Sequence, residues 1–103
     1  MSLSHSLSRT AGACTIQLGG QFTFSENGTF RTLLDEVLRD QPRKVVVDLS
    51  GLTTMDSAAL SMLVLLRDRI SKIGGTVTLS RPPTQIARIL EVVDFGKLFT
   101  ITA

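Results

Sequence analysis

The 103-residue chain contains no tryptophan and no tyrosine, so aliphatic side chains and five phenylalanines must build its core. A single cysteine, Cys14, excludes an internal disulfide and suits a reducing compartment. A single histidine, His5, leaves too few ligands for a zinc cluster and no partner that could activate a serine nucleophile. Charge of either sign is sparse and unclustered: eleven Lys and Arg against nine Asp and Glu give a net charge of +2. There is no basic run interleaved with aromatics, which argues against nucleic-acid binding. The longest apolar stretch lies within Ala58–Leu66 and is far shorter than the roughly 20 residues of a membrane span. Met1–Thr10 is polar and Ser-rich, relieved after Met1 only by Leu3 and Leu7, and lacks a signal-peptide core. These absences predict a cytoplasmic protein with a flexible arm over 1–12 and one domain over 13–103.

What is present reads as alternating strands and helices. Cys14, Ile16 and Leu18 alternate with Thr15 and Gln17, and the pattern resumes at Phe22 and Phe24 after Gly19-Gly20. A hairpin turning at the two glycines is expected. Phe30, Leu33, Leu34, Val37 and Leu38 then repeat at helical spacing, with Ser25 or Asn27 as the cap and Pro42 as the stop. Lys44–Leu49 holds a short β-branched run typical of a buried strand, which Ser50-Gly51 is expected to end. A helix from about Ala58 to Ile73 closes at Gly74-Gly75, and Thr76–Leu79 alternates as a strand. Pro82-Pro83 opens a third helix carrying Ile86, Ile89, Leu90 and Val93, and Leu98–Ile101 forms a last strand. The order β-β-α-β-α-β-α-β predicts an α/β fold, a small mixed sheet with helices packed on it.

Asp56-Ser57 sits where a strand's carboxyl end meets a helix amino terminus, a position favoured for ligands in open α/β sheets. Either residue also serves as an ordinary helix cap. Asp48 and Asp56 could form a carboxylate pair, although two aspartates bounding a loop are more often caps and turn formers. Asp94-Phe95-Gly96 spells a kinase metal motif without the accompanying kinase elements, and reads as a turn. No motif calls for a metal or another cofactor. On the helix after Ser57, Ala59, Met62, Leu63, Leu66, Ile70 and Ile73 share the core-facing arc. Ser57, Ser61, Val64 and Asp68 form an outer strip with Leu65 and Ala58 beside it, a candidate docking surface. A helix N-terminus also tolerates an added phosphate, so a phosphate on Ser57 would change binding rather than fold.

The stretch Val46-Val47-Asp48-Leu49-Ser50-Gly51-Leu52-Thr53-Thr54-Met55-Asp56-Ser57 resembles the strand-to-phosphoserine signature of the STAS family, the bacterial anti-sigma factor antagonists. Ile73-Gly74-Gly75 and Val93-Asp94-Phe95-Gly96-Lys97-Leu98-Phe99 support the resemblance, which runs from about Cys14 to Ile101. It implies that Ser57 is a phosphoacceptor, that Asp48, Ser50 and Gly51 shape a loop before it, and that Asp56 caps the helix, orients Ser57 or is read by a kinase. The implied partners are an anti-sigma factor that is also a serine kinase, and a metal-dependent (PPM-type) serine phosphatase. The implied output is release of a sigma factor, with no enzymatic activity of the chain itself. Thr23 stands where many members carry an acidic residue, and Ala58-Ala59 replaces a common Ser-Gly pair. Two other readings stay open: an unphosphorylated STAS scaffold or transport-associated subunit, and a nucleotide-binding or hydrolysing protein.

Overall fold

Buried residues at every second position set up the sheet. Cys14, Ile16 and Leu18 on β2 (Ala13–Phe22) lie level with Val45 and Val47 on β3 (Lys44–Met55), which in turn face Val77 and Leu79 on β4 (Thr76–Ser80). The structure is a computed structural model describing residues 3–103. Its sheet has the order β1-β2-β3-β4-β5, where β1 is Leu3–Thr10 and β5 is Thr100–Thr102. β1 runs antiparallel to β2 and the remaining neighbours are parallel. Helices α1 (Asn27–Leu38), α2 (Ser57–Lys72) and α3 (Thr84–Val92) make the crossovers. Because β2 to β5 follow one another in one direction, right-handed crossovers put all three helices on one face. Phe30, Leu33, Val37, Leu63, Leu66, Ile70, Ile86 and Leu90 close that face, each fully buried large side chain stabilising by roughly 1.5–3 kcal/mol. The other face stays open and hydroxyl-rich, with Ser8, Thr15, Val46, Thr78 and Thr100 in one register row.

The α/β order matches the expectation, but its first two strands are different ones. The expected arm is β1 over its described part; Met1 and Ser2 lie outside the described residues. Leu3 is buried at 5% exposure and Leu7 half-buried, both on the core side, while Ser4, Ser6 and Ser8 face outward. Serine has little strand propensity, yet pairing along β2 and a bond from the Leu3 amide to Glu26 Oε1 (3.0 Å) override it. The hairpin therefore turns at Ala11-Gly12, where Gly12 takes a positive φ of 73°. Gly19-Gly20 stays inside β2 instead. A Cβ at Gly19 would lie 2.6 Å from Ser4 Oγ, so the missing side chain lets β1 close on β2 there.

β3 differs most from its reading. Ser50-Gly51 does not end the strand but starts a bulge, and a second follows before Thr54. Each bulge adds one residue to β3 against β2 and turns the following side chain back toward the core. Core positions thus run Val45, Val47, Leu49, Leu52, Met55, a spacing that changes from two to three. Alternation stops being visible at Leu49 for that reason. Helix bounds shift slightly. α1 grows out of a 3-10 turn at Phe24–Glu26, so Glu26 rather than Ser25 or Asn27 occupies its cap, without a side-chain bond. Asp94 adopts a left-handed backbone at the turn after α3, ahead of a 3-10 turn at Phe95–Lys97.

Candidate functional site

The carboxyl end of β3 delivers Asp56 and Ser57 to the start of α2. Asp56 is the N-cap: its Oδ1 accepts from the Ala59 amide at 2.9 Å. Its Oδ2 accepts from the Phe24 amide at 3.0 Å, and its own amide donates to the Phe22 carbonyl at 3.3 Å. The bond from Ala59 first, and then that from Phe24, hold the Asp56 carboxyl below the usual carboxylate range. The cap is worth about 1 kcal/mol of helix stability. Asp56, not Ser57, is thus the cap. Ser57 occupies the first helical position, exposed, with its hydroxyl unbonded among the described residues and its carbonyl accepting from Ser61 Oγ at 3.3 Å.

A depression of about 280 Å³ opens beside Ser57, lined by Phe24, Asn27, Arg31, Ala58, Ser61, Met62 and Leu65. Phe24 is 69% exposed, an unusual state for phenylalanine, and forms one wall. Arg31 forms another, its Nε donating to Asn27 Oδ1 at 3.1 Å. Of the outer strip read from the helical wheel, Ala58, Ser61 and Leu65 line this depression. Ser57, Val64 and Asp68 do not, and Ser57 borders it only through its neighbour Ala58. Val64 packs against the core edge, and Asp68 pairs with Arg67 at 3.4 Å near the far end of α2.

Phe24 and Arg31 escaped the sequence reading. Alternation alone places Phe24 on a strand, yet Thr23, Ser25 and Asn27 around it are turn-forming residues that signal a break. Inside the 3-10 turn it no longer alternates and its ring points outward.

Asp48, Ser50 and Gly51 do not gather round Ser57. Seven residues of β3 lie between Asp48 and Asp56, a path of roughly 25 Å at the usual strand rise. No carboxylate pair is therefore formed, and no cluster of metal-ligating side chains occurs among the described residues. Asp48 sits on the open face at 5% exposure, bonded to the Ser50 amide (3.0 Å) and to the Arg81 guanidinium. Burial works to raise its pKa, but these two partners outweigh it, and the carboxyl stays below its ordinary range. Arg81 holds a positive φ of 52°, a costly backbone state for a side-chain-bearing residue, where it pairs with Asp48. Gly51 faces Gly19 across the bulge; a Cβ there would lie 3.0 Å from the Leu18 carbonyl oxygen. These residues shape β3 and the open face rather than a phosphosite loop.

The chain is similar to known proteins in both sequence and fold. A family model described as "Mlab, STAS domain" matches residues 5–101. A STAS-domain containing protein of Pseudomonas aeruginosa (strain UCBPP-PA14) is 38% identical over 88 residues, covering 85% of this chain and 86% of its own length. The fold is similar to that of the anti-sigma factor antagonist SpoIIAA in its unphosphorylated form (TM-score 0.76, 16% identity, 97% of this chain and 88% of the other). It is also similar to a sulfate transporter family protein from Wolinella succinogenes (TM-score 0.77, 16% identity, 92% and 80%). No helix among the described residues is long and apolar enough to cross a membrane. On the match over nearly its whole length, the chain belongs to the STAS domain family.

Proposed function

We propose that the protein is a phosphorylation-switched binding module of the anti-sigma factor antagonist kind. In this reading the unphosphorylated form docks on an anti-sigma factor that is also a serine kinase, and docking frees the sigma factor. The kinase transfers a phosphoryl group from ATP to the Ser57 hydroxyl, and a PPM-type phosphatase removes it. The observation that carries the reading is the exposed, unbonded Ser57 at the first turn of α2, beside the depression walled by Phe24 and Leu65.

Two features of the site favour such a switch, the groove and the helix terminus. The groove offers an exposed aromatic and an aliphatic side chain, the residue types that anchor protein interfaces. A phosphate on Ser57 would stand against the positive end of the α2 dipole, which favours it, and beside the Asp56 carboxylate, which does not. Repulsion would weaken the bond between Asp56 and the Phe24 amide, so the modification reaches the groove wall through one hydrogen bond. Neither aspartate is free for catalysis: Asp48 is held by Arg81 and Ser50, Asp56 by Ala59 and Phe24. That favours binding over turnover.

The test is incubation with the cognate serine kinase and radiolabelled ATP. Wild type should take up label and Ser57→Ala should not. Label retained in Ser57→Ala would remove the assignment. Stable docking on a transport ATPase, with no label in wild type, would favour the transport-associated reading instead.

A further inference from the structure

β1 is an outer strand, and among the described residues nothing pairs with its second edge. The opposite edge, β5, is only three residues long. A bare edge is a row of free N–H and C=O groups that another strand can complete. Proteins that stay single blunt such edges with lysine, acidic residues, proline, bulges or shortness. β1 carries none of these devices in its own sequence, and the Leu3 amide at its start is taken by Glu26 Oε1. It has eight residues in unbroken register with β2, and contains no proline, lysine or acid. Its one guanidinium, on Arg9, turns back onto Asp40 Oδ2 (2.5 Å) and the Glu36 carbonyl (2.6 Å).

The sequence of the edge suits one occupant. Leu3-Ser4-His5-Ser6-Leu7 reads the same in both directions. Antiparallel pairing with a second copy about a two-fold axis through His5 sets Leu3 against Leu7, Ser4 against Ser6, and His5 against itself. Cross-strand neighbours are then matched in size and polarity, the pairing that stabilises sheets. The faces agree as well. Leu7 and His5 lie level with Ile16 and Leu18 on the helix-bearing side, and the half-buried Leu7 would gain cover. The serines stay on the open side, where Ser6 Oγ already donates to Gln17 Oε1 at 2.8 Å. A two-fold interface needs such a self-complementary patch.

We propose that the β1 edge joins two copies of this chain, antiparallel and centred on His5, into one continuous sheet. The inference uses neither Ser57 nor the groove, so it stands or falls apart from the proposed switch. Each dimer carries two Ser57 sites.

The test is sedimentation over a concentration series for wild type, His5→Glu, His5→Lys and an equal mixture of the two variants. His5 is exposed, so both variants should keep the fold, which thermal unfolding checks. Position 5 meets itself on the axis. Each charged variant should therefore associate at least about tenfold more weakly than wild type, and the mixture should recover dimers through opposite charges. Wild type that stays monomeric overturns the proposal. A dimer unaffected by both substitutions overturns it too, since another surface would be responsible. His5→Cys gives a second readout. Antiparallel Cα separations of about 4.5–5.5 Å fall inside the disulfide window, so this variant should cross-link to itself in oxidised glutathione. Failure to cross-link rejects the axis.

Discussion

The Asp56 carboxylate binds the Phe24 amide at 3.0 Å while its other oxygen caps α2 through Ala59 at 2.9 Å. One side chain thus ties the turn after β2 to the helix that begins with Ser57. The groove wall and the candidate phosphosite share a single anchor.

Removing that anchor should loosen both ends. Asp56→Ala loses the cap and leaves the Phe24 amide without its partner. Stability should fall by about 1–2 kcal/mol, from the cap and the lost bond together. In a domain of this size that is a drop of roughly 4–8 °C in melting temperature per kcal/mol. Asp56→Asn, which keeps an acceptor oxygen, should lose less. Calorimetric melting of the two variants checks the order, and equal losses would contradict it.

Phe24 should matter for binding and little for stability. Its ring is mostly exposed, so Phe24→Ala should change unfolding free energy by less than about 0.5 kcal/mol. As an anchor in the groove its removal should weaken binding of the kinase by about 1–2 kcal/mol, roughly five- to thirtyfold. Arg31→Ala tests the facing wall in the same titration. A Phe24→Ala variant that binds as wild type does would move the docking surface elsewhere.

Acid should expose the contribution of Asp48. Its folded-state pKa lies below the ordinary carboxylate value, because Ser50 and Arg81 favour the charged form despite burial. A group shifted in that direction contributes fully above its unfolded pKa, and the contribution is lost as pH falls through the folded pKa. Wild type should therefore lose stability progressively as pH drops below the usual carboxylate range. Asp48→Asn should be less stable at pH 7, by about 1–3 kcal/mol, and show a shallower acid slope. Urea unfolding across that range measures both. Parallel slopes would mean that other carboxylates govern the acid transition.

The bulged part of β3 should resist substitution at Gly51. A methyl there would stand 3.0 Å from the Leu18 carbonyl and 3.1 Å from the Gly19 Cα, both backbone atoms that cannot swing aside. Gly51→Ala should destabilise by about 1–3 kcal/mol, as overpacking does elsewhere. Unchanged stability in a chemical unfolding curve would show that the strands spread without cost.

The helices and the inner strands were legible because their signals are periodic. Leu33, Leu34 and Val37, or Val45 and Val47, repeat at spacings only one element type can bury. β1 was not legible, since its leucines are four apart among serines and its pairing depends on β2 and Glu26. The continuation of β3 was hidden by bulges, which change the core spacing from two to three after Leu49. At the candidate site, Asp56 and Ser57 stood out from their place between strand and helix. Phe24 and Arg31 did not, because they reach the groove only when the turn at Phe24–Glu26 folds against α2. Asp48 looked like a neighbour of Ser57 only while the intervening residues were read as a compact loop.

In the proposed switch Ser57 governs docking at the groove. Its most direct test is titration calorimetry of the cognate kinase against the unphosphorylated protein and the protein quantitatively phosphorylated on Ser57. The first should bind tightly and the second at least about tenfold more weakly, through charge repulsion and desolvation at the interface. Equal affinity for the two forms would contradict it.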